Sequence, residues 1–327
     1  MAEKTNIPWC HSTFNPWIGC TKISEACTNC YAERWGARFG IEWGPGKPRH
    51  RTSASTWKQP LRWNRQAEIK FKAWEQFKKQ YPGLTDAQLQ QQGFVKPVRP
   101  RVFCGSLCDV FDNEVDPRWR AGLFDLIEAT PYLCWLLLTK RIGKAKDMIQ
   151  TSLVGRPFGG DWPWPNVWLG ATVCNQEEAD RDIPKLLAVP AAKRFLSIEP
   201  ILGDVCLTHC GNDYIVNALT GNTCGCASTD YPRNLPKIDW VICGSETGPR
   251  ARPTHPQSVR SLRDQCVAAG VPFFFKQNGE WLAAPEIIDA SGSLLFHRFD
   301  DGTWVQRVGH KAAGNLLDGR AWQEVPA

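Results

Sequence analysis

Cys134-Trp135-Leu136-Leu137-Leu138-Thr139-Lys140-Arg141-Ile142 decides the fold. Cys134–Leu138 is apolar without a break, three polar residues follow, and Ile142–Thr151 then carries helical periodicity. A fully apolar strand is covered on both faces, and a helix directly after it is a crossover to a parallel neighbour. The unit repeats along the chain. Arg101–Gly105 precedes a helix near Asp116–Ala129, Val167–Gly170 precedes Glu177–Ala188, and Trp240–Gly244 precedes Gln257–Ala269. Arg194–Ile198 and Val271–Phe275 are further strands, and Thr13-Phe14-Asn15-Pro16-Trp17 is a short first one. About seven β units predict an α/β chain built as a full or partial (β/α) barrel rather than a small open sheet.

Composition agrees with a globular chain. Of 327 residues, 43% are hydrophobic and 22% charged, enough for a sizeable core. No apolar run reaches membrane-spanning length, and Met-Ala-Glu-Lys-Thr-Asn lacks the basic-then-apolar order of a signal peptide. The expectation is a cytoplasmic protein without a membrane partner. Fourteen cysteines would mean a disulfide framework only in a small secreted chain. Cys104, Cys134 and Cys243 lie in apolar runs, where a reduced thiol is a small hydrophobe. A net charge of +6 permits a nucleic-acid partner without requiring one.

In α/β folds, function gathers at the C-terminal ends of the strands. Here those ends carry Ser106 and Asp109; Thr139, Lys140 and Arg141; Thr172 and Asn175; Ser197 and Glu199; Ser245 and Glu246; Lys276 and Gln277. Taken singly, each is more often a turn or capping residue than a ligand. Their recurrence at successive strand ends predicts one polar rim above the barrel.

Gly19-Cys20-Thr21-Lys22-Ile23-Ser24-Glu25-Ala26-Cys27-Thr28-Asn29-Cys30-Tyr31 follows the first strand and so opens onto that rim, with a helix expected over Thr28–Phe39. Three readings of Cys20, Cys27 and Cys30 compete. A structural zinc site closes its shell with a fourth ligand, for which His11 and Cys10 are the candidates. A redox dithiol at Cys27-Thr28-Asn29-Cys30 lacks a thioredoxin-type setting. A 4Fe–4S cluster on three thiolates leaves one iron free to chelate S-adenosylmethionine (SAM), whose sulfonium an electron from the cluster can cleave to a 5′-deoxyadenosyl radical. The protein then orients that radical and excludes water.

Two segments interrupt the repeat. Residues 40–63 read as a long basic loop before a helix over Asn64–Gln80, with Ile69, Trp74 and Phe77 on one side and Lys70, Lys72, Lys78 and Lys79 elsewhere. That basic face is either solvated or phosphate-contacting. Residues 203–237 hold Cys206, Cys210, Cys224 and Cys226 with His209 between, which read as a structural zinc site, an auxiliary cluster or unliganded thiols. The expected layout is a barrel over 1–279, with a basic insertion at 40–99 and the Cys-rich insertion at 203–237. A C-terminal extension at 280–327 carries short strands at Leu294–Phe299 and Trp304–Val308.

Asn15-Pro16-Trp17-Ile18-Gly19-Cys20-Thr21-Lys22-Ile23-Ser24, continued by Cys27-Thr28-Asn29-Cys30-Tyr31-Ala32-Glu33, resembles the three-cysteine motif of a phage-associated radical-SAM-like family, long catalogued as a domain of unknown function. The spacing Cys20-x6-Cys27-x2-Cys30 departs from the x3-then-x2 of common radical-SAM proteins. Later blocks are similar too. Gly105-Ser106-Leu107-Cys108-Asp109-Val110-Phe111, Leu138-Thr139-Lys140-Arg141 and Asn166-Val167-Trp168-Leu169-Gly170 resemble the family's strand ends. So do Ser197-Ile198-Glu199-Pro200, Asp239-Trp240-Val241-Ile242-Cys243-Gly244-Ser245-Glu246-Thr247-Gly248 and Phe274-Phe275-Lys276-Gln277. The tail, Lys311-Ala312-Ala313-Gly314 and Leu317-Asp318-Gly319-Arg320, resembles it as well. Family members commonly carry Gly where Ser245 stands.

The resemblance implies a partial (β/α) barrel of radical-SAM type, with the cluster on Cys20, Cys27 and Cys30. With SAM as cofactor, Ser106, Asp109, Thr172, Glu199 and Glu246, near successive strand ends, are the expected contacts. Lys140, Arg141 and Lys276 are the candidates for a carboxylate or phosphate on the substrate. Some members of the phage family are linked to thymine hypermodification in viral DNA, which protects it from host restriction. There a radical isomerisation moves a glycinyl substituent from attachment through nitrogen to attachment through carbon. The implied partners are DNA with a modified thymine and a reductant such as flavodoxin or ferredoxin, in the host cytoplasm for a phage-encoded chain. Two other readings are a non-catalytic zinc protein that binds nucleic acid and a radical-SAM lyase that repairs DNA.

Overall fold

The computed structural model describes residues 5–155, 162–211, 216–222, 235–283 and 295–327. Seven parallel strands form one curled half-barrel sheet: β1 (Ser12–Phe14), β2 (Arg101–Cys104), β3 (Cys134–Thr139), β4 (Val167–Thr172), β5 (Lys193–Ile198), β6 (Trp240–Cys243) and β7 (Phe273–Phe275). Spatial order equals chain order, so each strand pairs with the next one in sequence. The longer helices are α1 (Tyr31–Ala37), α2 (Gln59–Gln80), α3 (Pro117–Glu128), α4 (Ile142–Leu153), α5 (Gln176–Ala188) and α6 (Pro256–Ala269). Asp116 and Asn175 cap α3 and α5 by accepting backbone N–H groups, and left-handed Gly270 (φ 65°) ends α6.

The two-residue period of the strands sorts their side chains into two cores. Val102, Cys104, Trp135, Leu137, Leu169, Ala171, Leu196, Ile198, Val241 and Cys243 point outward into the core shared with the helices. Phe103, Leu136, Trp168, Phe195, Trp240, Ile242 and Phe274 point inward and meet Trp9, which plugs the hollow of the half-barrel. Trp9 packs on Phe103 at 4.6 Å between ring centroids, and Trp240 meets Trp168 edge-on at 6.1 Å. Gly170 faces the same side, and a Cβ there would lie 2.4 Å from Phe195 Cζ, so the aromatic ring occupies the space the glycine leaves.

Both faces of the sheet are therefore apolar for different reasons, helices outside and an aromatic plug inside. The open edge of β7 is covered by the chain's own end: Phe275 N donates to Trp322 O at 2.8 Å and Glu324 N to Phe273 O at 3.2 Å. The extension adds a three-stranded antiparallel sheet, Trp281–Ala283 with Trp304–Arg307 and Phe296–Arg298.

Three expectations change. The first strand is Ser12–Phe14 and stops before Asn15-Pro16, while Trp17–Ile18 turns away to pair with His50–Arg51. Residues 40–63 are not one loop, since they hold that pairing, a short helix (Ala54–Trp57) and the start of α2 with Pro60 in its first turn. On α2 the buried face runs through Trp63 and Ala67, and Ile69 lies off it, 63% exposed. The basic side is largely a solvated face: Lys72 pairs with Glu68 at 2.6 Å, and both Lys78 and Lys96 with Asp86. No helix among the described residues is long and apolar enough to cross a membrane.

Candidate active site

Beyond the aromatic plug, the inward positions turn polar. A cavity of about 440 Å³ opens at the C-terminal ends of the strands. Cys20, Cys27 and Cys30 all line it, and so do Ser106, Asp109, Lys140, Arg141, Thr172, Glu199, Glu246 and Lys276. Period two explains the placement. Counting on from the inward residues Leu138, Gly170, Ser197 and Phe274 reaches Lys140, Thr172, Glu199 and Lys276. Trp9, Phe103 and Leu138 provide its apolar wall.

The cysteine loop is held from several strand ends. Gly19 starts it at φ 115°, a conformation that favours glycine, and a Cβ there would press on Arg49 Cδ at 3.1 Å and Pro48 O at 3.3 Å. Ser24 caps the short 3₁₀ turn Glu25–Cys27, accepting Ala26 N–H at 3.1 Å, and α1 starts directly after Cys30. This turn and the short α1 replace the continuous helix expected from Thr28. Past β3, Arg141 donates to Thr21 O at 3.0 Å and to Cys20 Sγ at 3.4 Å. Past β4, Glu178 accepts Ser24 Oγ–H at 2.6 Å and Cys174 N–H at 3.0 Å. Past β6, Glu246 accepts Asn29 Nδ2–H at 2.9 Å and three donors of Arg252, whose guanidinium also reaches Glu25 O at 3.2 Å.

Beneath the loop, buried Arg49 binds Asp112 at 2.8 Å and Thr21 Oγ1 at 2.7 Å. Burial pushes the Cys20 thiol up to about 12; Asp109 adds to the rise, and Arg141 opposes it. For Glu246, burial acts upward, but hydrogen bonds from Arg252 and Asn29 outweigh it and hold the carboxyl below the usual glutamate range.

The strand-end candidates separate by what they already hold. Asp109 is buried and accepts Thr139 Oγ1–H at 2.7 Å, Lys140 N–H at 2.9 Å and Phe111 N–H at 2.9 Å. Ser106 exchanges hydrogen bonds with Asn15, and Glu246 is bound up with Arg252 and Asn29. These three order the rim from within. Glu199 and Lys276 pair with each other, both still partly exposed to the cavity. Lys140 lines the cavity with no side-chain partner among the described residues. Thr172 is 3% exposed, and among the described residues its hydroxyl has no hydrogen-bond partner; Trp9 Nε1 is in the same position. Six buried side-chain polar atoms among the described residues have no partner, and of the residues that carry them only Thr172 and Trp9 line the cavity.

Among the described residues no three His, Cys, Asp or Glu side chains form a group that could hold a metal ion. The loop thiols line the cavity without converging. Their chemistry suits a thiophilic metal or cluster, and the cavity beside them leaves room for an organic ligand. Neither suggested fourth ligand is available to a closed zinc shell. His11 and Cys10 precede β1, at its opposite end; His11 Nδ1 accepts Arg101 N–H at 2.9 Å, and Cys10 is buried in the aromatic plug. In the Cys-rich insertion, Cys206 Sγ lies 3.9 Å from His209 Nδ1, and Cys210 Sγ donates to Cys206 O at 3.0 Å. Cys224 and Cys226 lie outside the described residues.

Sequence reading missed Asn29, Arg49, Asp112, Glu178 and Arg252. Arg252 had a signal, since it stands six residues after Glu246 in the same strand-end segment. Arg49 had none, being one cation in a segment without periodicity. A comparison with curated proteins and with solved structures returns no match. The family model for DUF5131, described as a protein of unknown function, matches residues 4–326, and the chain belongs to that family.

Proposed function

We propose that this chain is a radical-SAM enzyme with its cluster on Cys20, Cys27 and Cys30. One observation carries the reading: the three loop thiols and all the strand-end candidates except Asn175, which caps α5, line a single cavity with an apolar wall. Three thiols that only closed a structural zinc shell would not need a ligand-sized hollow beside them. When bound, the cluster supplies the electron that cleaves SAM to methionine and a 5′-deoxyadenosyl radical.

The chain's own residues then bind, orient and exclude water. The orphaned Thr172 hydroxyl and the partly exposed Glu199 are the residues left to meet SAM's hydroxyl and ammonium groups. Asp109 and Glu246 act indirectly, by holding the Thr139–Arg141 turn and the cysteine loop. Lys140, on the wall and without a side-chain partner among the described residues, takes a carboxylate or phosphate of the substrate. Trp9, Phe103 and Leu138 keep water from the reacting carbon.

For the substrate we propose a modified thymine in DNA, with a glycinyl group moved from nitrogen to carbon attachment. Its support is the family resemblance together with the Lys140 ammonium and an apolar wall on the same cavity, which suit a base bearing a carboxylate. Anaerobic iron and sulfide reconstitution should give a cluster absorbance that Cys27→Ala abolishes. Tight zinc binding without iron uptake would sink the enzyme reading. Nucleoside mass spectrometry after incubation with SAM, reductant and glycinyl-thymidine DNA tests the reaction. Mass-neutral conversion supports an isomerase, and a cleaved product supports a lyase.

A further inference from the structure

The side chain of Arg141, 7% exposed, is built into the cysteine loop rather than offered to a substrate. Nη1 donates to Cys20 Sγ at 3.4 Å and Nη2 to Thr21 O at 3.0 Å. Asp109 Oδ2 lies 3.6 Å from the guanidinium and Asp112 Oδ1 3.9 Å. Both carboxylates have other donors, Asp109 the turn after β3 and Asp112 the Arg49 guanidinium, so Arg141 retains N–H groups for the loop. Because one of its anchors, Thr21 O, adjoins Cys20, the contact moves with the loop.

We infer that Arg141 is a positioning residue for Cys20, which it holds by the sulfur and whose bound cluster it makes easier to reduce. The inference rests on the radical-SAM reading. Donors and positive charge at a ligating sulfur stabilise the added electron and raise the reduction potential. Asp109 and Asp112 also act on Cys20. Deleting the guanidinium therefore removes a donor and leaves the sulfur facing two carboxylates, and both changes lower the potential.

The test reads a potential, not an activity. The full chain is reconstituted anaerobically with iron and sulfide as wild type, R141M and R141K. The midpoint of one-electron reduction by dithionite with mediators is followed by electron paramagnetic resonance. Equal iron content, a more negative midpoint in R141M and an intermediate one in R141K are expected, because lysine keeps the charge and loses the fork. Equal midpoints at equal iron content overturn the inference and leave the functional reading standing. No iron uptake by the wild type overturns both. If far-UV circular dichroism shows R141M unfolded, R141K decides: a downward shift supports the inference, and an unshifted midpoint ends it.

Discussion

Ser24 donates its hydroxyl proton to Glu178 at 2.6 Å, joining the cysteine loop to the first turn of α5 across 154 residues of sequence. The other oxygen of this buried carboxylate takes Cys174 N–H, so one side chain fixes the loop, the end of β4 and the helix start together. Glu178→Ala should cost about 2–3 kcal/mol, as it strands a buried N–H and removes a charge-assisted bond. Ser24→Ala should cost about 1 kcal/mol. Urea denaturation of both singles and the double should show less than additive loss; strict additivity would mean that the two are not coupled.

Thr172→Val tests stability against binding. Valine keeps the shape and removes an unpaired buried hydroxyl, so the free protein should melt at the same temperature or higher. If the hydroxyl meets SAM, affinity measured by calorimetry on the reconstituted protein should fall about tenfold, the equivalent of about 1.4 kcal/mol. A lower melting temperature with unchanged affinity would refute this role.

Gly170→Ala should destabilise by about 1–3 kcal/mol, because the new methyl meets the Phe195 ring rather than the flexible end of a chain. Thermal unfolding measures it. The double variant Gly170→Ala, Phe195→Leu should recover part of the loss.

Glu246 links the cysteine loop to pH. Its folded-state pKa lies below the ordinary glutamate value, so its stabilisation is complete above that value. It drains as pH falls through the lower folded-state pKa, when protonation releases Arg252 and Asn29. Melting temperatures taken downward through the carboxylate range should drop less steeply in Glu246→Gln than in wild type. Parallel profiles would show that the clamp does not depend on this charge.

Lys140→Met should leave stability within about 0.5 kcal/mol, since the ammonium has no partner to lose among the described residues. Affinity for an acidic nucleoside should weaken, and the remaining binding should depend less on salt. Calorimetry at two ionic strengths reads both.

The strands and helices were legible because their signals are local. Cys134–Leu138, Trp240–Gly244 and Gln257–Ala269 each carry their pattern within a few residues, and the observed elements Cys134–Thr139, Trp240–Cys243 and Pro256–Ala269 each differ by one residue at one end. Seven such units also predicted the parallel sheet and the polar rim. Ile69 was misplaced because helical periodicity gives spacing but not which face meets the core. The strand at His50–Arg51 was missed because its partner, Trp17–Ile18, is distant in sequence.

By itself, the chain's pattern determined the α/β order, the strand ends and the three cysteines on one loop, since each follows from neighbours along the sequence. Only the tertiary structure decided what those residues are free to do. Curling of the sheet brought the ends of β3, β4 and β6 close enough for Arg141, Glu178 and Arg252 to grip the loop. The same packing bound Asp109 and Glu246 internally and, among the described residues, gave the Lys140 and Thr172 side chains at the cavity no partner. Hydrogen-bond partners are chosen in space, across separations of up to 227 residues here, and no local pattern records that choice.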